Sequence, residues 1–348
     1  MPAPLVILGN SNPKFSGVTS TMLQTLPYLR EHIPLAVLGT HHLSQDTPSL
    51  TFRELISTSR NAQHPILFHA RRNDEMIQAL LAKKLGAKLK IIFTSTAQRH
   101  HSKFTKTLIN RMDGLITTCA GAASYLHRPA DITIPHGVDL DRYRPPQDKL
   151  LAWKSLGYPG EFGLGIFGRV RPQKGTHLLV RAAIPFLQEN PKPTILIVGE
   201  TTNKFLSYQR ELENEIEQAG LSKRILFLGK QPFERLPQLF QGLHLVAALS
   251  DNEGFGLTPL EAMASGCAVI ATQAGAWPEI IGEDKTGHLI PVNDQAALSQ
   301  ILQKTLSRPE QLLEQGDNGL DHVRKNYSIE REAESLLNFY QTFLPSHT

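Results

Sequence analysis

Two glutamates, Glu253 and Glu261, have seven residues between them, and glycines 254 and 256 lie in that interval. An apolar run at 243–249 predicts a buried strand before them, and Gly266 predicts the end of a short helix after them. Glycines let a ligand approach the backbone, and free N–H groups at a helix start attract phosphate. Carboxylates instead accept hydrogen bonds from hydroxyl groups. The stretch therefore predicts a site for a sugar nucleotide.

A second loop favours this interpretation over simpler ones. Glu261 stands three residues after Thr258, the spacing of a capping box that forms without any ligand, and Glu253 is equally typical of a solvated loop. However, Arg169 and Lys174 follow another predicted strand, at 163–168. They supply the forked guanidinium and the point charge that bind a diphosphate.

Both loops need a sheet that brings them to one edge. Short apolar runs alternate with helical patterns along the chain, which predicts two α/β domains with parallel sheets. Ligands of such sheets bind beyond the carboxyl ends of the strands. Prolines and glycines at 145–160 predict the domain boundary. We expect an N-terminal acceptor-binding Rossmann-like domain over 1–158, a C-terminal nucleotide-sugar-binding Rossmann-like domain over 159–328, and a last helix in 329–348 that packs back on the first domain.

The first predicted domain carries polar residues directly after its strands. Because ligands bind at that edge, these are candidate site residues, although polar loops with helix caps would give the same pattern. They are His69 with Arg71 and Arg72, Gln98 with Arg99, and Lys14 in the first loop.

The motifs Gly168-Arg169, Lys174-Gly175 and Glu253-Gly-Phe-Gly-Leu-Thr-Pro-Leu-Glu261 resemble those of the retaining glycosyltransferases of family 4. The resemblance extends over essentially the whole chain. It implies the GT-B fold, an α/β fold with two Rossmann-like α/β/α domains whose parallel sheets face each other across a cleft. It also implies transfer of a hexose from a nucleotide sugar with retention of anomeric configuration, and no cofactor.

The resemblance gives these residues roles. The predicted catalytic set consists of Arg169 and Lys174 on the leaving diphosphate, and of Glu253 and His69 on the donor sugar. Glu261 would bind the ribose. The predicted donor-binding set is Gly17, Gly199, Gly229, Lys230, Gly254, Phe255, Gly256, Leu257, Thr258 and Glu261. The predicted acceptor-binding set is Lys14, Arg71, Arg72, Gln98 and Arg99.

We expect no metal ion in the site. No Asp-x-Asp motif stands in a strand context in this sequence. Arg169 and Lys174 supply the positive charge that a metal ion would otherwise provide to a diphosphate.

Three N-terminal stretches, at 68–75, 93–99 and 134–139, resemble the lipopolysaccharide-core mannosyltransferases of Gram-negative bacteria. This likeness implies GDP-mannose as donor, with a UDP-sugar as the alternative. It implies an anionic, lipid-linked or lipopolysaccharide-core sugar as acceptor. His136 departs from the wider family, in which many members have Asn before Gly-Val-Asp.

Positive charge is concentrated in the first half of the 348-residue chain. Residues 1–158 carry 19 Lys and Arg against 10 Asp and Glu, and the tract from Lys83 to Arg111 contains no acid. Such a tract predicts attraction to an anionic membrane surface or a phosphorylated acceptor, although a solvated helix face would look the same. Few aromatic residues interleave with these charges, which argues against nucleic acid as a partner.

Only two cysteines and no secretory or membrane-spanning pattern predict a cytoplasmic protein. The likeness to the lipopolysaccharide-core enzymes implies that it is held peripherally at the inner face of the inner membrane. Two other functions fit part of the pattern. A sugar-nucleotide epimerase could share the two-domain plan but would not need the Glu253 and Glu261 spacing. A non-catalytic nucleotide-sugar-binding subunit would keep the site without the reaction.

Overall fold

The computed structural model describes residues 4–14, 16–282 and 284–345. They form two compact units: unit 1 comprises Met1–Gly137 and Ile329–Thr348, and unit 2 comprises Val138–Ser328. Each unit is a parallel β-sheet covered by helices on both faces, as parallel sheets require.

The elements follow one another as strands and helices in alternation through most of the chain. The strands are β1 (Val6–Gly9), β2 (Leu35–Leu38), β3 (Ser49–Leu50), β4 (Ile66–Ala70), β5 (Leu89–Ser95), β6 (Gly114–Thr117), β7 (Ile132–Thr133), β8 (Phe162–Phe167), β9 (Pro193–Val198), β10 (Ile225–Gly229), β11 (Leu243–Ala248), β12 (Ala268–Thr272) and β13 (Gly287–Ile290). The helices are α1 (Gly17–His32), α2 (Phe52–Asn61), α3 (Asn73–Lys84), α4 (Lys103–Ile109), α5 (Ala120–Ala123), α6 (Lys149–Ser155), α7 (Thr176–Glu189), α8 (Leu206–Gln218), α9 (Leu236–Gly242), α10 (Thr258–Ala264), α11 (Trp277–Ile280), α12 (Gln295–Leu306), α13 (Pro309–Asn326) and α14 (Ile329–Gln341).

The described strands of unit 1 pair in the order β3-β2-β1-β4-β5-β6-β7, and every neighbouring pair is parallel. Successive side chains point to opposite faces. Phe68 and Ile91 belong to the core under α2, α3 and α4, whereas Leu67 and Ile92 belong to the core under α1 and α14. The ends of β1, β4 and β5 therefore meet at one edge, with different helices on either side.

The described strands of unit 2 pair in the order β10-β9-β8-β11-β12-β13, again all parallel. Helices α7, α8 and α12 share a core with one face of this sheet. Helices α6, α9, α10 and α13 contact its strands as well. This order makes β8 and β11 immediate neighbours, so the loops that follow them lie side by side.

The boundary between the units differs from the predicted one at residue 158. Residues 138–158 belong to unit 2, and the chain leaves unit 1 after Gly137 and returns at Ile329. Trp153 on α6 is fully buried, and a Cβ atom on Gly163 would lie 2.1 Å from its ring. The prolines and glycines at 145–160 therefore mark surface turns and not the boundary between the units. The packing of Trp153 against Gly163 joins α6 to the second sheet.

The C-terminal helix α14 contacts α1 within unit 1, and residues 346–348 of the predicted tail lie outside the described residues. No helix in the described ranges has the combined length and apolar character that a bilayer crossing would need.

Candidate active site

The loops after four neighbouring strands of unit 2 carry the predicted donor-binding residues. Lys230 follows β10, Gly199 follows β9, Arg169 follows β8, and Glu253 follows β11. Gly199 donates its N–H to the carbonyl of Gly229 at 2.9 Å, which joins the ends of β9 and β10. The structure therefore gathers these residues at the carboxyl edge of one sheet, where such sheets bind ligands.

Lys174 and Glu253 are 79 positions apart in sequence, and Lys174 Nζ forms an ion pair with Glu253 Oε2. Ser250 Oγ donates to the same carboxylate oxygen at 3.1 Å. The Lys174 and Glu253 side chains are 21% and 23% exposed, and Arg169, on the same loop as Lys174, is exposed. The backbone N–H of Asp251 donates to the carbonyl of Gln173 at 3.0 Å, so the two loops are also joined through their main chains.

The glycine-rich loop at 253–257 is held by Trp277, which follows β12. The indole Nε1 donates to the carbonyl of Gly256 at 3.0 Å, and the side chain is 2% exposed. Gly256 has φ +83, and a Cβ atom there would lie 2.4 Å from Nε1. Ala276 also donates its N–H to the carbonyl of Phe255 at 3.2 Å. The sequence analysis missed Trp277, because no spacing rule links it to the loop.

Glu261 lies in α10 and is half-buried. This helix begins at Thr258 and has no side-chain cap hydrogen bond, so the capping-box explanation does not account for the carboxylate. Burial raises the pKa of Glu261 to about 7, and the nearby Tyr143 hydroxyl and Arg142 guanidinium partly offset this effect. Arg142 lies over the ring of Phe233 at 3.7 Å. Sequence reasoning missed Arg142 and Tyr143, which are more than a hundred residues before Glu261.

His69 occupies β4 of unit 1 and is buried. Its Nδ1 lies 2.7 Å from the hydroxyl of Tyr340, and its Nε2 lies 2.7 Å from Oγ1 of Thr94. Burial lowers the pKa of His69 well below its usual range, so the imidazole is neutral at physiological pH. A hydrogen bond between a ring nitrogen and a donor sugar would compete with one of these two hydrogen bonds, and the catalytic role of His69 stays a prediction.

The predicted acceptor residues Arg71 and Arg72 also make contacts within unit 1. Their backbone N–H groups donate to Glu75 Oε2 at 2.7 and 3.2 Å. The guanidinium of Arg72 donates to Ser16 Oγ at 2.8 Å and to Thr19 Oγ1 at 2.9 Å. These bonds fix the loop after β4 against the start of α1.

The other predicted residues of unit 1 follow β1 and β5. Lys14 and Arg99 are exposed, and Gln98 Nε2 lies 3.5 Å from Cys119 Sγ. Gly17 is the first residue of α1, and open space surrounds the position that its Cβ atom would occupy. Their roles in donor or acceptor binding remain predictions.

Comparison with known proteins shows which family the chain belongs to. Residues 152–322 match the family described as "Glycosyl transferases group 1". The chain is 40% identical over 343 residues to the lipopolysaccharide core biosynthesis mannosyltransferase LpcC of Rhizobium leguminosarum bv. viciae. The aligned residues cover 97% of this chain and 96% of that protein. The chain belongs to the glycosyl transferase group 1 family. This glycosyltransferase is also 39% identical over 346 residues to LpsB, a protein of the same description from Rhizobium meliloti strain 1021, with 97% of each chain covered.

A solved structure agrees with the fold. Anabaena Alr3699/HepE, crystallised in complex with UDP, superposes with a TM-score of 0.79 at 20% identity, covering 97% of this chain and 99% of that one. At this identity the likeness concerns the fold alone. The predicted GT-B class with two parallel-sheet α/β units is confirmed, as is the resemblance to family 4 enzymes that the motifs indicated.

Proposed function

We propose that this glycosyltransferase moves a hexose, with retention of anomeric configuration, from a nucleotide sugar to a lipid-linked or lipopolysaccharide-core sugar. The observation that carries the proposal is the contact between Lys174 and Glu253. It joins the basic loop after β8 to the glycine-rich loop after β11. Cations suited to bind a diphosphate therefore lie beside a carboxylate suited to accept hydrogen bonds from sugar hydroxyls.

In this proposal Arg169 and Lys174 stabilise the charge that develops on the diphosphate as it leaves. Lys174 contacts Glu253, and Glu253 accepts a hydrogen bond from Ser250, so both side chains are held at the site before the donor arrives. The diphosphate then replaces Glu253 as the partner of Lys174, which frees the carboxylate for a hydroxyl of the donor sugar. The leaving diphosphate takes the proton of the acceptor hydroxyl.

Mannose from GDP-mannose is the favoured donor, because LpcC and LpsB are both named mannosyltransferases. A UDP-sugar is the alternative. A thermal-shift panel with GDP, UDP and ADP tests the base, since a nucleotide that binds only the folded protein raises its stability by mass action. We expect the largest shift of the unfolding temperature with GDP. A larger shift with UDP would favour a UDP-sugar over GDP-mannose as the donor.

A lipopolysaccharide-core acceptor fits the names of the same two relatives, and an anionic acceptor at a membrane surface fits the basic tract of unit 1. Lys84, Lys103 and Arg111 of that tract are exposed. Exposed cations at the surface of a cytoplasmic enzyme attract anionic lipid and acidic sugars. Lys14 and Arg99 are exposed candidates for direct contact with the acceptor.

The decisive experiment incubates the full chain with GDP-mannose and a lipopolysaccharide-core acceptor, and determines the anomeric configuration of the product by NMR. The expected product has the configuration of the donor. An inverted product would contradict the proposed mechanism. Epimerised sugar nucleotide formed without acceptor would favour the epimerase, and donor binding without turnover on any acceptor would favour the non-catalytic subunit.

The same assay tests the absence of a metal ion. Because Arg169 and Lys174 supply the positive charge, we expect full activity in EDTA. Activity that EDTA abolishes and magnesium restores would contradict this part of the proposal.

A further inference from the structure

Two glutamates of unit 1 occupy the same position at the starts of two helices. Glu54 in α2 and Glu75 in α3 are each the third helical residue, and each accepts the backbone N–H of the residue that precedes its helix. Such a carboxylate stabilises the first turn of a helix and needs no further role. The two differ in their surroundings, because Glu54 is exposed and Glu75 is only 2% exposed.

Helix capping alone does not explain why the carboxylate of Glu75 is buried. Burial raises the pKa of Glu75 above its usual range, because a charged group loses its hydration. The N–H and the charge of Arg71 oppose this effect, as does the charge of Arg72, whereas the charge of Asp74 adds to it. An exposed carboxylate such as that of Glu54 caps a helix without this cost. The buried position of Glu75 therefore indicates a second role.

The carboxylate of Glu75 holds the loop that follows β4. Its Oε2 atom accepts the N–H of Arg71 at 2.7 Å as well as the N–H of Arg72 at 3.2 Å. The same carboxyl group packs against the end of β1, where a Cβ atom on Gly9 would lie 2.7 Å from its carbon. Any residue larger than glycine at position 9 would therefore displace the carboxylate and disturb the loop.

The two arginines of this loop use their guanidinium groups differently. The guanidinium of Arg72 donates to the hydroxyls of Ser16 and Thr19, which anchors the loop to α1. In contrast, Nη1 of Arg71 is buried and has no hydrogen-bond partner among the residues that the structure describes. Buried donors are nearly always paired, and Arg71 directly follows β4 at the sheet edge where ligands bind. An anionic group of a ligand would supply the acceptor that this donor lacks.

We infer that Glu75 is a positioning residue that orients Arg71 towards an anionic group of the acceptor sugar. Glu75 fixes the backbone of the loop, Arg72 anchors the loop to α1, and Nη1 of Arg71 binds the acceptor through a charge-assisted hydrogen bond. The inference rests on the proposed function in that it takes the anionic acceptor as the ligand. It goes further by separating the two predicted acceptor arginines, since Arg71 contacts the acceptor and Arg72 supports the loop.

The first test measures transfer by the full chain to a lipopolysaccharide-core acceptor at varied acceptor concentration. Glu75→Gln keeps the shape of the side chain, but its neutral amide accepts hydrogen bonds more weakly than a carboxylate. The KM for the acceptor should rise about tenfold, whereas kcat and the KM for the donor should change less than about twofold. Glu54→Gln is the matched control, because it weakens the same kind of cap at an exposed glutamate, and it should leave all three constants unchanged.

A double-mutant cycle shows whether Glu75 acts through Arg71. Arg71→Ala should raise the KM for the acceptor roughly thirtyfold, because it removes a charged hydrogen-bond donor. Adding Glu75→Gln to Arg71→Ala should raise this KM further by less than about twofold, since the group that Glu75 orients is already gone. An equal effect of Glu75→Gln with and without Arg71 would overturn the inference.

The pH dependence supplies a readout that a role in helix stability alone would not move. A protonated carboxyl group accepts backbone N–H bonds more weakly, so the hold on the loop should weaken as the pH falls through the titration of Glu75. Glu75→Gln does not titrate, so the ratio of its acceptor KM to that of the unchanged protein should fall towards one as the pH is lowered. The titration of the acceptor cancels in this ratio. A ratio that does not change with pH would contradict the inference.

Hydrogen exchange tests the loop without any substrate. The backbone N–H groups of Arg71 and Arg72 should exchange about tenfold faster in Glu75→Gln and at the unchanged rate in Glu54→Gln. Gly9→Ala, which brings a methyl group against the carboxylate, should have the same effect and replaces Glu75→Gln if that variant does not fold. Unchanged exchange in these variants would overturn the inference by itself. Absence of transfer by the unchanged protein would instead contradict the proposed function, and the exchange rates would still decide whether Glu75 holds the loop.

Discussion

The carboxyl edges of the two sheets use similar polar residues in different ways. In unit 2, Lys174 and Glu253 come from loops after neighbouring strands and face each other as one partly exposed pair. In unit 1, His69 is buried between Tyr340 and Thr94. The Lys174 and Glu253 pair is accessible to a ligand, whereas His69 uses both of its ring nitrogens in hydrogen bonds within unit 1.

This difference shows what the position of a residue after a strand does and does not predict. A polar residue at that edge is close to where ligands bind, but its side chain can still be satisfied internally. The two cases differ in whether the polar side chain is partly exposed, as in Lys174 and Glu253, or buried with its hydrogen bonds satisfied, as in His69. The predictions below test whether unit 2 carries the chemistry while the hydrogen-bonded residues of unit 1 carry stability.

The largest effect is expected at the basic loop of unit 2. In the proposed mechanism Arg169→Ala and Lys174→Ala would each remove a cation from the leaving diphosphate, and loss of one such group typically lowers turnover about 10²–10³-fold. Turnover with saturating donor measures this effect, and the thermal unfolding midpoint checks that each variant is folded. Lys304→Ala, at an exposed lysine of the same unit, is the control. Near-normal turnover in both loop variants would contradict the assignment of the site.

A smaller effect on catalysis is expected at Trp277, which holds the glycine-rich loop through a hydrogen bond. Trp277→Phe keeps the aromatic ring but removes the hydrogen bond to the carbonyl of Gly256, and a bond of this kind contributes about 0.5–1.5 kcal/mol. If the loop binds the donor, the KM for the donor should rise by up to about tenfold, while kcat changes less. Steady-state kinetics at several donor concentrations separate the two constants.

The other tryptophan is a close control. Trp153 is also buried in unit 2 and donates through Nε1 to a backbone carbonyl, that of Gly160, at 3.1 Å. Trp153→Phe therefore loses the same kind of hydrogen bond, but to Gly160, which is not a predicted donor-binding residue. A rise in KM of equal size in both variants would mean that general loosening of unit 2, rather than the loop, sets the KM.

In unit 1 the expected loss is mainly of stability. Tyr340→Phe leaves the buried Nδ1 of His69 without its hydroxyl partner, which should lower the free energy of unfolding by about 1–3 kcal/mol. Turnover should stay within about twofold of the unchanged protein. Tyr327→Phe, which removes a hydroxyl that donates to the carbonyl of Glu279 at a partly exposed position, should cost less. A collapse of turnover in Tyr340→Phe with stability retained would support the catalytic role predicted for His69.

Much of the fold and of the unit 2 site could be predicted because the signals are local. Apolar runs and glycine-bearing loops define most strands, and parallel topology then brings Lys174 and Glu253 to one edge. Strands β3 and β13 were missed because Ser49–Leu50 has only two residues, and Gly287–Ile290 begins with Gly287 and His288 in place of a continuous apolar run.

The remaining misses concern contacts between distant residues. The unit boundary after Gly137 depends on Trp153 packing against β8, and the environment of His69 depends on Tyr340, 271 positions later. Neither contact leaves a periodic pattern in the sequence, because each depends on how a helix packs against the sheet in the folded protein. Tertiary packing of this kind decides which of the predicted polar residues face a ligand.

The smallest effect on ligand binding should come from Glu261, whose charge depends on pH. Its pKa in the folded protein, about 7, lies above the ordinary value of 4.5, so the folded state holds the proton more tightly than the unfolded state. The contribution of this group to stability is therefore full below pH 4.5 and is lost as the pH rises to about 7. Glu261→Gln does not titrate, so its stability relative to the unchanged protein should increase over that interval.

As the pH rises, Glu261→Gln should gain stability but lose nucleotide affinity relative to the unchanged protein. An ionised carboxylate accepts hydrogen bonds from ribose hydroxyls more strongly than a protonated one or an amide. The ratio of the GDP dissociation constants of Glu261→Gln and the unchanged protein should therefore rise roughly threefold as the pH passes through the carboxyl titration. Calorimetry on both sides of that titration measures the ratio, and the titration of the nucleotide phosphate cancels because both proteins bind the same ligand. A ratio that does not change with pH would mean that Glu261 is not the group in unit 2 that binds the ribose, and the functional contrast between the two sheet edges would then rest on Arg169, Lys174 and Glu253 alone.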